Sequence, residues 1–264
     1  MCGISGYIGQ KKINPLVIRR TLSIMKNRGQ DGNGFYNFCD KKNNFSVNLL
    51  HTRLSIIDLD IRSNQPFTVD NLTIIFNGEI YNYLEIKKKI LKVKKIKFQT
   101  NSDTEVLLQA YRVFGKNFFK YLEGMWSFAI WDSKKKKLLL SRDRFSEKPL
   151  YVYQSSTGVY FGSEIKYIKS LSGKNFKIDE GHLTRYLFNG YKSLYKYKTT
   201  FFKEINNFPN ASYTEINKTL KLKYKKYWTL AYKPKKISIK EAIRKSKKII
   251  LKKFKQKFRS DVPV

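Results

Sequence analysis

Cys2 directly follows the initiator methionine in Met1-Cys2-Gly3-Ile4-Ser5-Gly6-Tyr7-Ile8-Gly9. A side chain as small as cysteine at position 2 permits removal of Met1. One residue then carries both a thiol and a free α-amine, an arrangement in which the amine activates the nucleophile beside it. Neutral pH suits the pair, because an α-amine titrates at about 7.7–8.0 and a free thiol at about 8.5. Cysteine alone says little about catalysis without its surroundings. The weight falls on four polar strings downstream: Arg28-Gly29-Gln30-Asp31-Gly32, His51 to Asp58, Asn77 to Asn82 and Ser102-Asp103-Thr104-Glu105.

These strings need elements to hold them. Residues 4–8 alternate small and apolar side chains and read as a first, buried strand. Leu16, Ile18, Leu22 and Met25 recur at helical spacing, which predicts a helix over 15–25. Gly29, Gly32 and Gly34 break the pattern, so 28–34 reads as a turn-rich loop. Strands are expected over 45–50 and 72–76, and a helix over 83–91. Ser102 and Glu105 fit a capping box that opens a second helix. Its core face is Leu107, Ala110, Tyr111 and Phe114, and Gly115 ends it. Strands over 125–131 and 137–141 form a hairpin with lysines at its tip. Strands over 151–153 and 159–161, a helix over 165–171, and strands over 212–216 and 220–225 follow. A lysine-rich linker at 231–238 leads to an amphipathic helix over 239–258.

The chain has 264 residues, 41% hydrophobic and 15% aromatic, which suits a globular fold with a sizeable core. No apolar run approaches the roughly 18 residues of a membrane helix, and no secretory signal opens the chain. Two cysteines, Cys2 and Cys39, make no disulfide framework, which fits a reducing cytoplasm. His51 and His182 stand in no metal-ligand spacing, so no metal is expected in this chain. The net charge of +34 would suit a nucleic-acid binder. However, it comes from 43 lysines against 11 arginines, scattered along the chain. Recognition of phosphates and bases favours arginine, so the charge reads as solvated surface. A basic nucleic-acid-binding module remains a remote alternative.

Taken in order, the strings resemble the N-terminal glutaminase domain of glutamine-hydrolysing asparagine synthetase, a class II glutamine amidotransferase. They are Cys2-Gly3-Ile4, Arg28-Gly29-x-Asp31-Gly32, His51-Thr52-Arg53-Leu54-Ser55-Ile56-Ile57-Asp58, Asn77-Gly78-Glu79-Ile80-Tyr81-Asn82 and Ser102-Asp103-Thr104-Glu105, then Gly124-Met125-Trp126-Ser127-Phe128-Ala129 and Lys148-Pro149-Leu150-Tyr151. The resemblance covers residues 2–230. It implies an α+β fold, the four-layer αββα sandwich of the N-terminal-nucleophile hydrolases. It also implies that Cys2 attacks the side-chain amide of glutamine with its own α-amine as base. Asn77 and Gly78 would form the oxyanion hole. Arg53 would hold the substrate α-carboxylate, and Glu79 and Asp103 would face its α-ammonium. The backbone of Leu54, Ser55, Ile56 and Ile57 would line the pocket. His51 reads as structural, because the mechanism already has its base.

Two positions depart from the family pattern. Gln30 replaces a usual proline, and Ser146 replaces a usual glycine in Arg142-Asp143-Arg144-Phe145-Ser146. If position 146 needs a left-handed backbone, serine there costs about 1–2 kcal/mol. In this family Ser260 to Val264 lead into the phosphate loop of a synthetase domain, so 239–264 is expected to be the start of that domain, truncated here. The 264 residues contain no phosphate-binding glycine-rich loop. ATP and magnesium are therefore expected only in the missing part, and no cofactor in this chain. The implied partners are glutamine, a synthetase domain in cis or as a separate chain, and a second copy of this chain; nucleic acid and membrane are not among them. A sibling amidotransferase acting on another carboxylate, such as a surface-sugar uronic acid, is the alternative.

Overall fold

The computed structural model describes residues 1–191 and 199–263. Twelve strands and six helices are named in it: β1 (Gly3–Gly9), α1 (Pro15–Met25), β2 (Gly32–Asp40), β3 (Phe45–Arg53), β4 (Phe67–Val69), β5 (Leu72–Ile80), α2 (Tyr83–Val93), α3 (Asp103–Phe114), β6 (Gly124–Asp132), β7 (Lys137–Arg142), β8 (Tyr151–Gln154), β9 (Gly158–Gly162), α4 (Ile165–Ser172), α5 (Glu180–Asn189), β10 (Ile205–Asn207), β11 (Ser212–Ile216), β12 (Lys225–Lys226) and α6 (Ile239–Lys257). They make two six-stranded sheets, β10-β8-β9-β1-β3-β2 and β12-β11-β7-β6-β5-β4. Every strand pairing is antiparallel.

Three apolar clusters turn these sheets into four layers. Ile4, Ile8, Val47, Leu49, Ile75, Trp131 and Leu140 fill the space between the sheets. Residues of α1 and α4 cover the outer face of the first sheet, with Tyr7 and Leu50 beneath them. Residues of α2 and α3 cover the second, over Ile74, Phe76 and Phe128. Because side chains alternate along a strand, Cys2 shares the inner face with Ile4 and Ile8. His51 and Arg53 continue the face of Val47 and Leu49, and Asn77 and Glu79 continue that of Ile75. At one end of the sandwich the apolar filling thus gives way to polar side chains from three strands.

The differences from the sequence reading have local causes. The turn-rich stretch over 28–34 ends early, because Gly32 and Gly34 already belong to β2 and pair with Arg53 and His51. The exposure of β2 alternates residue by residue, a weak signal beside its two asparagines and one aspartate. Strand β3 runs on through Arg53, paired with β1 and β2 on its two edges. The second hairpin's last strand is the two-residue β12, not 220–225. The short strand β4 and the helix α5 lie in stretches without a clear period. The capping box on α3 is half formed. Ser102 Oγ accepts from Glu105 N at 3.2 Å, but the Glu105 carboxylate turns to Gln99 N and Thr100 N.

Helix α6 stands apart. Ile239, Ile243, Ile249, Phe254 and Phe258 are each more than half exposed, and Gln256 is its only buried residue. Its C-terminal end docks through polar groups. Lys253 pairs with Glu123 at 2.5 Å, and Arg259 meets Glu85 with both Nη atoms at 2.6 and 2.7 Å. Arg259 holds the Glu85 carboxyl at a pKa of about 2. Asp261 N donates to Ile56 O at 2.9 Å, and its carboxylate accepts from Asp58 N at 2.6 Å. Exposed pairs of this kind contribute little, about 0–1 kcal/mol each, and no apolar face is buried with them. Limited trypsin is expected to cut first between 233 and 252, leaving a folded fragment ending near 230. Survival of α6 as long as the strands around Asn77 would show that the helix is an integral part of this domain.

Candidate active site

The start of β1 is held by its ladder with β3 and, on its other edge, by side chains. Ile4 N donates to Ser163 Oγ at 3.1 Å, and Arg28 Nε donates to the Cys2 carbonyl at 3.0 Å. The Cys2 Sγ lies 3.4 Å from Leu54 N and 3.5 Å from Leu54 O, just past the end of β3. An open cleft begins there, lined by Cys2, Arg53, Leu54, Ile56, Ile57, Asn77, Gly78, Glu79 and Asp103, with Gln65 and Lys148 among the others. The expected residues therefore meet in one place, with one exception. Ser55 does not line the cleft, because its N–H is turned away to the Asp31 carboxylate at 2.7 Å.

Strand β5 supplies two donors. Asn77 is 1% exposed, and its Nδ2 has no hydrogen-bond partner. Asn77 and Gly78 both lie inside β5, paired with Ser127 and Trp126. Beyond Ile75 the other edge of β5 is open to side chains. There Phe76 N donates to Gln65 Oε1 at 2.6 Å, and Ile80 N donates to Asp103 Oδ2 at 2.9 Å. Backbone groups alternate along an antiparallel strand, so the Gly78 N–H between them faces this same edge, toward the cleft. Glycine is required here by packing. A Cβ at position 78 would lie 2.1 Å from Met125 O and 2.8 Å from Trp126 Cα.

Arg53 is 5% exposed. Its Nη1 donates to Asp60 O and Asn64 Oδ1 at 2.9 and 2.8 Å, and its Nη2 donates to Ile57 O at 3.4 Å and to Asp58 O. All four acceptors are neutral, so the fork is fixed while its charge stays unpaired. His51 is wholly buried, and its Nε2 lies 3.1 Å from Phe76 O. Burial drives its pKa down to about 3, so it is a neutral strut against the Phe76 carbonyl. Gln65 and Lys148 are among the lining residues to which the sequence reading gave no role. Gln65 orients β5 through Phe76 N and reaches Thr104 Oγ1 at 3.2 Å. Lys148 is 7% exposed and enters on the loop between β7 and β8. That loop contains Ser146 at φ 60°, the left-handed conformation suspected there. The about 1–2 kcal/mol this costs serine is offset by Asp143, whose carboxylate accepts from the N–H groups of Trp126, Phe145, Glu147 and Lys148.

The glutamine amidotransferase domain family matches residues 1–228. The chain belongs to that family. The amidotransferase domain is 31% identical to asparagine synthetase [glutamine-hydrolyzing] 1 of Bacillus subtilis, aligned over all of this chain and 41% of that protein. It is 33% identical to B. subtilis asparagine synthetase [glutamine-hydrolyzing] 2, over 87% of this chain and 31% of the other. A relative from Methanocaldococcus jannaschii is 35% identical over all of this chain and 53% of its own length. The chain thus spans about a third to a half of these relatives. Among solved structures, the glutamine phosphoribosylpyrophosphate amidotransferase of B. subtilis superposes with a TM-score of 0.62 at 19% identity, covering 87% of this chain and 50% of that one. That likeness is one of fold, two antiparallel sheets between layers of helices.

Burial governs the charges in this amidotransferase cleft. It raises the Cys2 thiol above its ordinary value, against the Leu54 N–H that favours the thiolate. Asp103 sits at the N-terminus of α3, where the helix dipole favours a carboxylate. Burial outweighs both that and the Ile80 N–H, and the nearby Glu79 adds to it, so Asp103 is raised to about 7. Burial raises Glu79 as well, with Lys148 opposing. A ligand ammonium favours the ionised form of Asp103, so binding strengthens as pH rises through the unliganded pKa. If the glutamine ammonium meets Asp103, the Kd of glutamine in a Cys2→Ala variant is expected to fall about five- to tenfold from pH 6 to pH 8. Asp103→Asn should bind weakly with a flat profile by calorimetry; a flat profile with Asp103 intact would place the ammonium elsewhere.

Proposed function

We propose that this domain hydrolyses glutamine to glutamate and ammonia, with Cys2 as nucleophile after loss of Met1. The observation that carries this reading is the meeting of the Cys2 Sγ with the unpartnered Asn77 Nδ2 and the edge-facing Gly78 N–H in one cleft. The Cys2 amine takes the thiol proton, and the thiolate attacks the amide carbon of the substrate side chain. The oxygen of the tetrahedral intermediate takes up charge as it forms. Asn77 Nδ2 and Gly78 N–H are donors for that charge, each typically worth about 2.7–4 kcal/mol at the transition state. The protonated amine then gives its proton to the leaving nitrogen. Ammonia departs, a thioester remains, and water, activated by the amine, releases glutamate.

The rest of the cleft reads as a holder for the amino-acid end of glutamine. Arg53 offers an unpaired, immobile cation to the α-carboxylate, which must share Nη hydrogens with the carbonyls already bound. Asp103 and Glu79 supply the negative wall for the α-ammonium, and Leu54, Ile56 and Ile57 supply the side wall. We further assign 2–230 to the glutaminase, 231–238 to a linker and 239–264 to the opening of a synthetase domain. That domain would use ATP and magnesium to amidate aspartate with the ammonia. The exposed apolar face of α6 and the greater length of the asparagine synthetases support this assignment.

Intact mass of the purified protein is expected to show loss of one methionine. A glutamine-like electrophile should then label Cys2 and spare Cys39. Glutaminase activity that survives Cys2→Ala would end the proposal.

Asn77→Ala should lower kcat about 100- to 1,000-fold with little change in KM, because its contact forms in the transition state. Arg53→Ala should chiefly raise KM, because a carboxylate far from the reacting carbon is held equally in both states. Matching kinetic patterns in the two variants would mean the roles are misassigned.

A further inference from the structure

Two cations beside Cys2 have no part in the chemistry so far. Arg28 follows α1; its Nε holds the Cys2 carbonyl, and its Nη1 meets Glu164 at 3.3 Å. Lys148 approaches from the opposite side, with its backbone fixed by Asp143 and by Arg142 Nε, which donates to the Lys148 carbonyl at 2.7 Å. Among the described residues, no carboxylate lies within ion-pairing distance of the buried Lys148 Nζ. Both cations converge on the Met1 side chain. Arg28 Nη2 reaches its Sδ at 3.8 Å and Lys148 Nζ at 3.5 Å. Loss of Met1 removes the side chain that both cations touch, and the newly freed Cys2 nitrogen is then the group nearest to where it lay.

We propose that Lys148, together with Arg28, acts through the Cys2 α-amine, holding it in its unprotonated form at neutral pH. This rests on Cys2 serving as the N-terminal nucleophile. An ordinary α-amine, titrating at about 7.7–8.0, is mostly protonated at pH 7, so only the minor unprotonated fraction could accept the thiol proton. A protonated amine here would be a third cation beside two fixed ones, which like-charge repulsion disfavours. The amine of Met1 already shows the trend. Burial lowers it most, Cys2 opposes, Arg28 and Lys148 lower it further, and Asp31 opposes. The remaining charges are accounted for. Asp31 is turned to Ser55 N, Glu164 pairs with Arg28 and Lys166, and Glu79 and Glu147 act on Lys148. Arg53 and Asp103 lie toward the thiol. The step moves one proton from Sγ to nitrogen and later on to ammonia, so the cations change only where the equilibrium lies. Lys148 is a positioning residue for charge; it touches no reacting atom.

The test is the pH profile of kcat/KM for glutamine in the full chain. Lys148→Met keeps the length and removes the charge. It should move the acid limb up by about one pH unit, with a loss of about tenfold below the limb and an unchanged plateau above it. Lys148→Arg should restore the wild-type limb. A uniform loss across all pH values, or a change confined to KM, would overturn the proposal in favour of a structural or substrate-binding lysine. A second measurement needs neither turnover nor a variant at position 148. With 13C-labelled cysteine in a Cys39→Ser background, the Cys2 Cα shift reports the amine's titration directly. A pKa clearly below 7.7 supports the pair, and one at or above 8 refutes it. A lowered amine in a protein that fails to hydrolyse glutamine would leave this inference standing and remove the reading on which it rests.

Discussion

Everything at the site depends on β1 being a central strand. It is paired with β3 over its whole length and with β9 from Ser5 to Gly9, so the residue just before it has little freedom. A chain terminus is normally among the most mobile parts of a protein. Here it is anchored by two ladders, by Ser163 on Ile4 N and by Arg28 on the Cys2 carbonyl. Close pairing also requires small side chains. A Cβ on Gly6 would lie 2.6 Å from Asn48 O and 2.4 Å from the Phe161 ring. The alternation of small and apolar residues at the start of the sequence is thus the imprint of a strand squeezed from both sides.

The second sheet carries the complementary constraint. Its strand β5 uses one edge for β6 and gives the other to side chains from Gln65 and Asp103. This leaves a gap between two satisfied backbone donors, at Gly78. Both side chains belong to segments that cap or brace α3, so the helix, the open strand edge and the donor are one mechanical unit. Asp103 accordingly has two tasks. It satisfies Ile80 N, and it presents a carboxyl whose charge burial has made costly.

The sequence was most legible where the side-chain period is simple. The apolar runs of β5, β6 and β7 and the helical faces of α1, α2 and α3 lie in sheets and helices as expected. The polar residues at strand ends also lie together, because antiparallel pairing returns β3 and β5 to the level where β1 begins. Less legible were elements whose pattern is diluted. β2 alternates between half-buried and exposed, β4 has three residues, and α5 buries only His182. Of the site itself, Gln65 and Lys148 were given no role: Gln65 stands in no motif, and nothing in the string Lys148-Pro149-Leu150-Tyr151 shows that its lysine reaches Cys2 through the fold. Ser55 was over-read for the opposite reason. It sits in a string whose neighbours line the cleft, while its own N–H is claimed by Asp31.

One junction carries a further implication. Asp58, at φ 56°, accepts from Asn101 N and Ser63 Oγ, gives its carbonyl to Arg53, and donates its N–H to Asp261. The last of these bonds joins residues 203 positions apart. Chains are made from the N-terminus at about 5–20 residues per second, so Cys2 emerges first and the cleft wall beside Arg53 is tied off last. For some tens of seconds of synthesis the cysteine exists without the finished wall beside Arg53. Completion of that wall is thereby timed to the arrival of the segment that follows the domain.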